Sequence, residues 1–151
     1  MSELNTNLTI VAPREQVLAA FFEPEALAAW WQVARSVCIP RPLGTYAVEW
    51  KPTEWRDDLL GPLGGALHGT VMEFKAGREF FLANTYWTPP EGDAIGPMAI
   101  EVTCSKSRWG TDLHLRHSGF GDSPRWKRYA EVMAPGWDHA LGSLKTWLEQ
   151  A

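Results

Sequence analysis

Two histidines, His114 and His117, have the spacing that most directly limits the chemistry of this chain. They lie three positions apart in a segment, Thr111 to Ser118, whose alternating apolar and polar residues predict a β-strand. Because successive side chains of a strand point to opposite faces, the two imidazoles cannot bind one metal ion. A zinc site needs three or four converging ligands, and His68 and His139 add no such spacing. We therefore predict no metal site.

His117 is the more interesting of the pair, because it shares a face with Leu113 and Leu115. That apolar face is predicted to point inward, so His117 would line an internal cavity and could titrate near neutral pH. The alternative is a structural histidine that is hydrogen-bonded at the end of its strand. Arg116 and His114 are expected to point outward.

Carboxylates and nucleophiles give no clear catalytic set. A carboxylate beside an apolar cavity could serve as a general acid or base. Alternation predicts that Glu101 points outward, and it leaves the direction of Glu73 open. Cys38 and Cys104 have no adjacent basic group that would clearly activate a thiol. We predict no catalytic residue.

Aromatic residues are the strongest compositional signal, with nine tryptophans in 151 residues. Large flat side chains are enriched in cores, apolar pockets and interfaces. Tyr86 and Trp87 are neighbours on a predicted strand, so only one of them can face inward. The candidate ligand-binding residues are Trp31, Trp50, Tyr86, Leu113, Leu115, His117, Trp137 and Leu141.

These side chains need a helix and a sheet to position them. The pattern of residues 136–148 predicts a closing amphipathic helix, because the apolar residues of this segment repeat at helical spacing. The stripe consists of Trp137, Leu141, Leu144 and Leu148. Residues 124–133 predict a helical lead-in, which Pro135 is expected to kink or interrupt.

The rest of the chain reads as one strand over residues 4–11, two short helices and a series of strands. The first helix follows Ala12, and the second runs from Pro24 to Trp31. The later candidate strands are 35–39, 44–50, 65–74, 79–87, 98–105 and 111–118. A long helix facing an antiparallel sheet of about six to seven strands predicts a single α+β domain over residues 1–151. The loop from Glu54 to Gly65 could cover the cavity mouth or be a plain insertion.

Composition and charge exclude several classes of protein. The net charge is −4 and Lys/Arg form no broad basic stripe, so no nucleic-acid partner is expected. No window approaches the roughly 18 apolar residues of a spanning helix, so no membrane insertion is expected. The polar start and two distant cysteines favour a reducing, cytoplasmic location. No phosphate-loop motif is found, and we expect no cofactor.

Several segments in order resemble a known family. They are Ala12–Val17, Pro24–Leu27 with Trp30-Trp31, Gly69–Phe74, Gly110–Phe120, and Gly136-Trp137 with Leu141 and Leu144. Together they resemble the SRPBCC (START-like) superfamily, and more narrowly the group related to the C-terminal domain of the activator of Hsp90 ATPase. The resemblance spans nearly the whole chain. It implies a helix-grip fold, in which a curved antiparallel sheet wraps the C-terminal helix around a hydrophobic cavity.

Three functions are compatible with that fold. The first is a small-molecule binding protein that holds a hydrophobic or aromatic ligand between sheet and helix. The second is an enzyme of cyclase, dehydratase or hydrolase type that uses the same cavity, and the missing acid–base set favours binding over it. The third is a protein-interaction or stress-related domain without a ligand. An Hsp90 partnership is not expected, because the co-chaperone's N-terminal domain has no counterpart, and a homodimer is compatible with exposed sheet surface.

Overall fold

A curved antiparallel sheet forms one layer of the protein. The structure, a computed structural model, describes residues 3–150. Its seven main strands are β1 (Glu3–Ile10), β2 (Arg35–Cys38), β3 (Thr45–Trp50), β6 (Gly65–Lys75), β7 (Glu79–Thr88), β8 (Ile95–Lys106) and β9 (Thr111–Ser118). They are ordered β1-β9-β8-β7-β6-β3-β2, while β4 (Arg56–Asp57) pairs only with β5 (Gly61–Pro62). The α+β helix-grip prediction is confirmed.

Irregularities in register bend this sheet. The β6–β7 pairing shifts between His68 and Thr70, and the β7–β8 pairing shifts between Leu82 and Thr85. The backbones come so close at the first shift that a Cβ on Gly69 would lie 2.5 Å from the Thr85 hydroxyl oxygen. Bulges of this kind increase local twist and bending. They allow the sheet to curve around a helix.

Three helices pack on the concave side. They are α1 (Arg14–Ala19), α2 (Pro24–Trp31) and α3 (Pro124–Glu149). Pro24 occupies the first turn of α2, where its missing N–H costs nothing, and α2 ends at Gln32 in the left-handed conformation with φ 54°. Among residues 3–150, none of the helices combines the length and apolar character needed to cross a bilayer.

The closing helix is longer than its sequence suggests. We expected Pro135 to kink or interrupt it, but α3 is one helix of 26 residues with Pro135 inside. The helix begins at a cap in which the Ser123 hydroxyl accepts from the N–H of Trp126. Pro135 is exposed, so the carbonyl that its ring leaves without a helical partner is on the water side. Buried Tyr129 and Trp137 hold both halves against the sheet.

The centre of the molecule is filled with side chains. Leu113, Leu115 and His117 alternate inward on β9 as predicted, with exposures of 1%, 0% and 0%. The gap left among the core side chains at the centre of the sheet is only about 10 Å³, about one water molecule. Any ligand space must therefore lie away from this centre.

The segment of residues 51–64, which we call the flap, folds back over one end of the sheet. Leu60 is its buried anchor, with 2% exposure. The Asp57 carboxylate accepts hydrogen bonds from the N–H groups of Leu59 and Leu60 and from Arg128 Nε on α3, at 3.0, 3.1 and 2.6 Å. The indole N–H of Trp87 donates to the carbonyl of Gly64 at 2.8 Å. The flap is thus tied to both α3 and β7.

Candidate functional site

A cavity of about 840 Å³ lies between α2, α3, the flap and the ends of β3, β6 and β7. Its size is within the range of small-molecule sites, roughly 300–1,000 Å³. Five aromatic residues contribute to its wall. They are Trp31, Trp50, Trp87, Tyr129 and Trp137. Its mouth, where lining residues are exposed to solvent, is formed by Ala28, Gln32, Ala34, Lys51, Pro52, Thr53 and Gly136.

The aromatic wall is rigid because its rings support one another. Trp31 stacks on Trp30 with ring centroids 5.0 Å apart and an interplanar angle of 4°. Its ring also meets the edge of Trp50 at 5.1 Å and the tilted ring of Trp137 at 5.5 Å. Trp50 donates its indole N–H to the carbonyl of Trp31 at 2.9 Å. These contacts fix flat apolar surfaces that face a ligand-sized space.

His117 is the polar centre behind this wall. Its Nδ1 accepts a hydrogen bond from the Trp137 indole N–H at 3.0 Å, so the ring proton of the neutral imidazole is on Nε2. That Nε2 faces the Met98 sulfur at 3.2 Å. Burial lowers the pKa of His117 to about 3. Of the two interpretations of His117, these contacts favour the hydrogen-bonded structural histidine over one that titrates near neutral pH, since desolvation keeps the ring uncharged and both nitrogens are engaged.

Seven of the eight predicted residues fall into two groups. Trp31, Trp50 and Trp137 lie on the cavity. Leu113, Leu115, His117 and Leu141 are buried in the packed core instead. For the three β9 residues the reason is strand order: β9 lies next to the β1 edge, whereas the cavity lies against β3, β6 and β7.

The prediction that Tyr86 lines the cavity is wrong, because the alternation of β7 points its side chain outward. Its ring stacks on His68 on the outer face of the sheet, at a centroid distance of 5.8 Å. Its neighbour Trp87 points inward, lines the cavity and is 8% exposed. The choice between the two needed the register of β7 against β6, which sequence alone did not supply.

Sequence reasoning missed Tyr129 and Met133, which line the cavity from α3. Their signal was present, because residues 126, 129, 133 and 137 continue one helical stripe through Pro135. The expected interruption at Pro135 split this stripe into two shorter segments, so it was not recognised from the sequence. Leu60 and Leu63 of the flap were also missed, and a loop has no periodicity that would reveal them.

The titratable groups do not form a catalytic set on this cavity. Glu73 is exposed and Glu101 lies on the outer face of β8, between inward Ile100 and Val102. Burial raises the pKa of the Cys38 and Cys104 thiols to about 11 and about 12. Within residues 3–150, no three His, Cys, Asp or Glu side chains converge as metal ligands would. The arrangement is suited to holding an apolar molecule.

Tyr129 has an unusual environment. Its side chain is 2% exposed, and within residues 3–150 its hydroxyl has no hydrogen-bond partner. Its ring packs edge-on against those of His117 and Phe120, at 6.0 Å from each. Burial raises the pKa of this phenol above its usual range. The hydroxyl is enclosed by protein, so it is the ring that contributes to the cavity wall.

Comparison with known proteins gives a family and a fold. Residues 11–149 match the family described as Activator of Hsp90 ATPase homolog 1-like protein. None of the curated proteins searched matches the chain.

Solved structures share the fold at low sequence identity. A protein from Mesorhizobium loti superposes with a TM-score of 0.75 at 18% identity, covering 99% of this chain and 98% of that one. A Rhodobacter sphaeroides protein gives 0.75 at 20% identity, covering 97% and 92%. The Aha1 dimer from Colwellia psychrerythraea, a solution structure, gives 0.72 at 17% identity, covering 99% and 97%.

Proposed function

Since the chain belongs to the Activator of Hsp90 ATPase homolog 1-like family, we propose that it is a binding protein for a flat, hydrophobic small molecule. In this proposal residues 1–151 form one domain. The ligand lies in the cavity between α2, α3 and the flap. The observation that supports it most is the wall of five aromatic rings around about 840 Å³.

Internal hydrogen bonding supports binding over catalysis. The indole N–H groups of Trp50, Trp87 and Trp137 all donate to protein acceptors, so they present apolar faces to the cavity. His117 has both ring nitrogens occupied and stays neutral, which removes the one histidine close to the wall as an acid or base. An apolar ligand would gain burial without having to displace a polar network.

Two glycines of α3 offer a matched test. Gly136 lies at the cavity mouth and Gly142 lies elsewhere on the same helix, and a Cβ would meet nothing within 4 Å at either position. Gly136→Leu should fill the mouth and weaken binding of a probe such as 2-naphthaleneacetamide by at least about tenfold, since the added side chain takes ligand space. Gly142→Leu should leave binding unchanged. Both should fold with equal or higher stability, because leucine is the better helix former.

Calorimetric titration of the probe against the two variants and the parent protein measures this effect. Equal binding by all three would contradict the cavity as the ligand site. Native mass spectrometry of protein purified from its own host would identify a retained ligand by its mass.

A second candidate is an interaction domain that forms a homodimer. β2 is an edge strand of the sheet, and Val37 on it and Leu43 beside it are 57% and 77% exposed. Exposed edge strands with apolar side chains favour pairing with another chain. Sedimentation velocity over a range of concentrations tests this, and a monomer at every concentration would contradict it.

A further inference from the structure

The charges around the cavity mouth are distributed unevenly. Among the residues of the described range, 3–150, that line the cavity, Lys51 is the one with a fully charged side chain, and none of them is acidic. Lys51 follows Trp50 directly at the end of β3, so the hydrogen bond of Trp50 to the carbonyl of Trp31 fixes where its backbone lies. Lys51 is exposed, and most of the other residues that line the cavity are apolar.

Three arginines on the elements around the cavity are paired with acidic side chains, whereas Lys51, within residues 3–150, is not. Arg35 pairs with Glu49 at 2.6 Å, Arg56 with Glu91 at 3.3 Å and Arg128 with Asp57 at 2.6 Å. Within residues 3–150, Lys51 forms no ion pair. Its charge is therefore available to an outside partner, and the neighbouring Gln32 amide adds a second polar group at the same rim.

From this placement we infer that the ligand is an amphipathic monoanion, an aromatic or aliphatic carboxylic acid whose carboxylate pairs with Lys51 while its apolar body lies between the tryptophans. This inference rests on the proposed function and adds the charge and the orientation of the ligand. An isolated lysine offers one point charge, which matches a singly charged carboxylate. A phosphate monoester carries nearly two charges and is typically held by arginines or by several backbone N–H groups.

The orientation follows from desolvation. A carboxylate buried among the aromatic rings would lose its hydration without a charged partner, which is costly. At the mouth it keeps contact with water and gains the ammonium group of Lys51. The apolar body then enters first and the charge stays at the rim.

The size of the effect follows from the exposure of Lys51. An exposed ion pair contributes at most about 1 kcal/mol, which is about fivefold in affinity. The carboxylate should therefore bind about fivefold more tightly than a neutral molecule of the same shape, and added salt should reduce the difference.

The experiment compares three probes that share one ring system by calorimetric titration. They are 2-naphthaleneacetate, the neutral 2-naphthaleneacetamide and the cationic 2-(2-naphthyl)ethylammonium. For the parent protein we expect the anion to bind most tightly and the cation most weakly. Lys51→Gln should lower the affinity for the anion by about fivefold, which removes the preference for it, and should leave the affinity for the amide unchanged.

Lys127→Gln is the matched control, because Lys127 is also exposed and lies outside the cavity lining. This substitution changes the net charge by the same amount as Lys51→Gln. It should keep the preference for the anion. Equal affinity for the anion and the amide would overturn the inference, as would equal loss of anion binding in both variants. Failure of all three probes to bind would instead contradict the proposed function.

Discussion

At the scale of single residues, His117 shows how burial and hydrogen bonding can suppress the acid–base activity of a side chain. Its position on the inner face of β9 follows from alternation, and its partners, the Trp137 indole and the Met98 sulfur, come from α3 and β8. Neither partner stabilises an imidazolium ion, and burial opposes one. The histidine therefore acts as a hydrogen-bond acceptor that orients Trp137 at the cavity wall.

This neutral histidine makes stability depend on pH. Burial lowers the pKa of His117 from 6.5 to about 3, so below pH 6.5 the unfolded chain binds a proton that the folded protein excludes. This contribution to stability is complete above pH 6.5 and is lost as the pH falls toward 3. It should lower the free energy of unfolding by about 2 kcal/mol between pH 7 and pH 5.

Urea unfolding at several pH values measures this loss. His117→Gln, which keeps an acceptor for Trp137, should remove most of it, whereas the exposed control His139→Gln should not. An unchanged pH dependence in His117→Gln would show that the histidine is not the source.

The buried hydroxyl of Tyr129 gives a second prediction at this scale. An unpaired buried hydroxyl loses its hydration without compensation, so Tyr129→Phe should keep or raise the free energy of unfolding by up to about 1 kcal/mol. Tyr46 is the matched control, because its buried hydroxyl donates to the carbonyl of Phe21 at 2.7 Å. Tyr46→Phe should cost about 1–2 kcal/mol in the same denaturation experiment. A larger loss in Tyr129→Phe than in Tyr46→Phe would mean that the Tyr129 hydroxyl is bonded.

At the scale of elements, the Asp57 carboxylate is one of the groups that hold the flap in place. Burial by itself raises the pKa of Asp57, but the hydrogen bonds from Arg128 and from the N–H groups of Leu60 and Leu59 outweigh it and hold the pKa below its usual range. The same bonds connect the flap to α3. Buried Leu60 and the hydrogen bond from Trp87 to the carbonyl of Gly64 also hold the flap.

Asp57→Ala should therefore loosen the flap without unfolding the protein. Hydrogen exchange at the amides of Leu59 and Leu60 should accelerate by at least about tenfold, because each amide loses a charged acceptor. The neighbouring exposed residue gives the control, Asp58→Ala, which should leave exchange unchanged. Equal acceleration in both variants would show that the carboxylate of Asp57 does not hold the flap.

At the scale of the whole molecule, Trp137 joins the packed core to the cavity. It is 2% exposed, borders both the filled centre and the ligand space, and donates to His117. Trp137→Ala should lower the free energy of unfolding by about 3–5 kcal/mol, because the truncation leaves a large void and an unpaired acceptor. Urea denaturation measures it, with the exposed Trp147→Ala as control. A loss below about 1 kcal/mol would contradict this position for Trp137.

The sequence by itself determined the seven main strands, the two short helices and several of the faces that they bury. Period-two alternation gave the strands and the inward side of β9, and helical spacing gave the Trp137 stripe, because both depend on neighbours close along the chain. Tertiary structure decided where the cavity lies, which of Tyr86 and Trp87 faces it, and that α3 continues through Pro135. It also left Lys51 without an ion pair among residues 3–150. These features depend on strand order, register and contacts between distant segments, which local pattern does not encode.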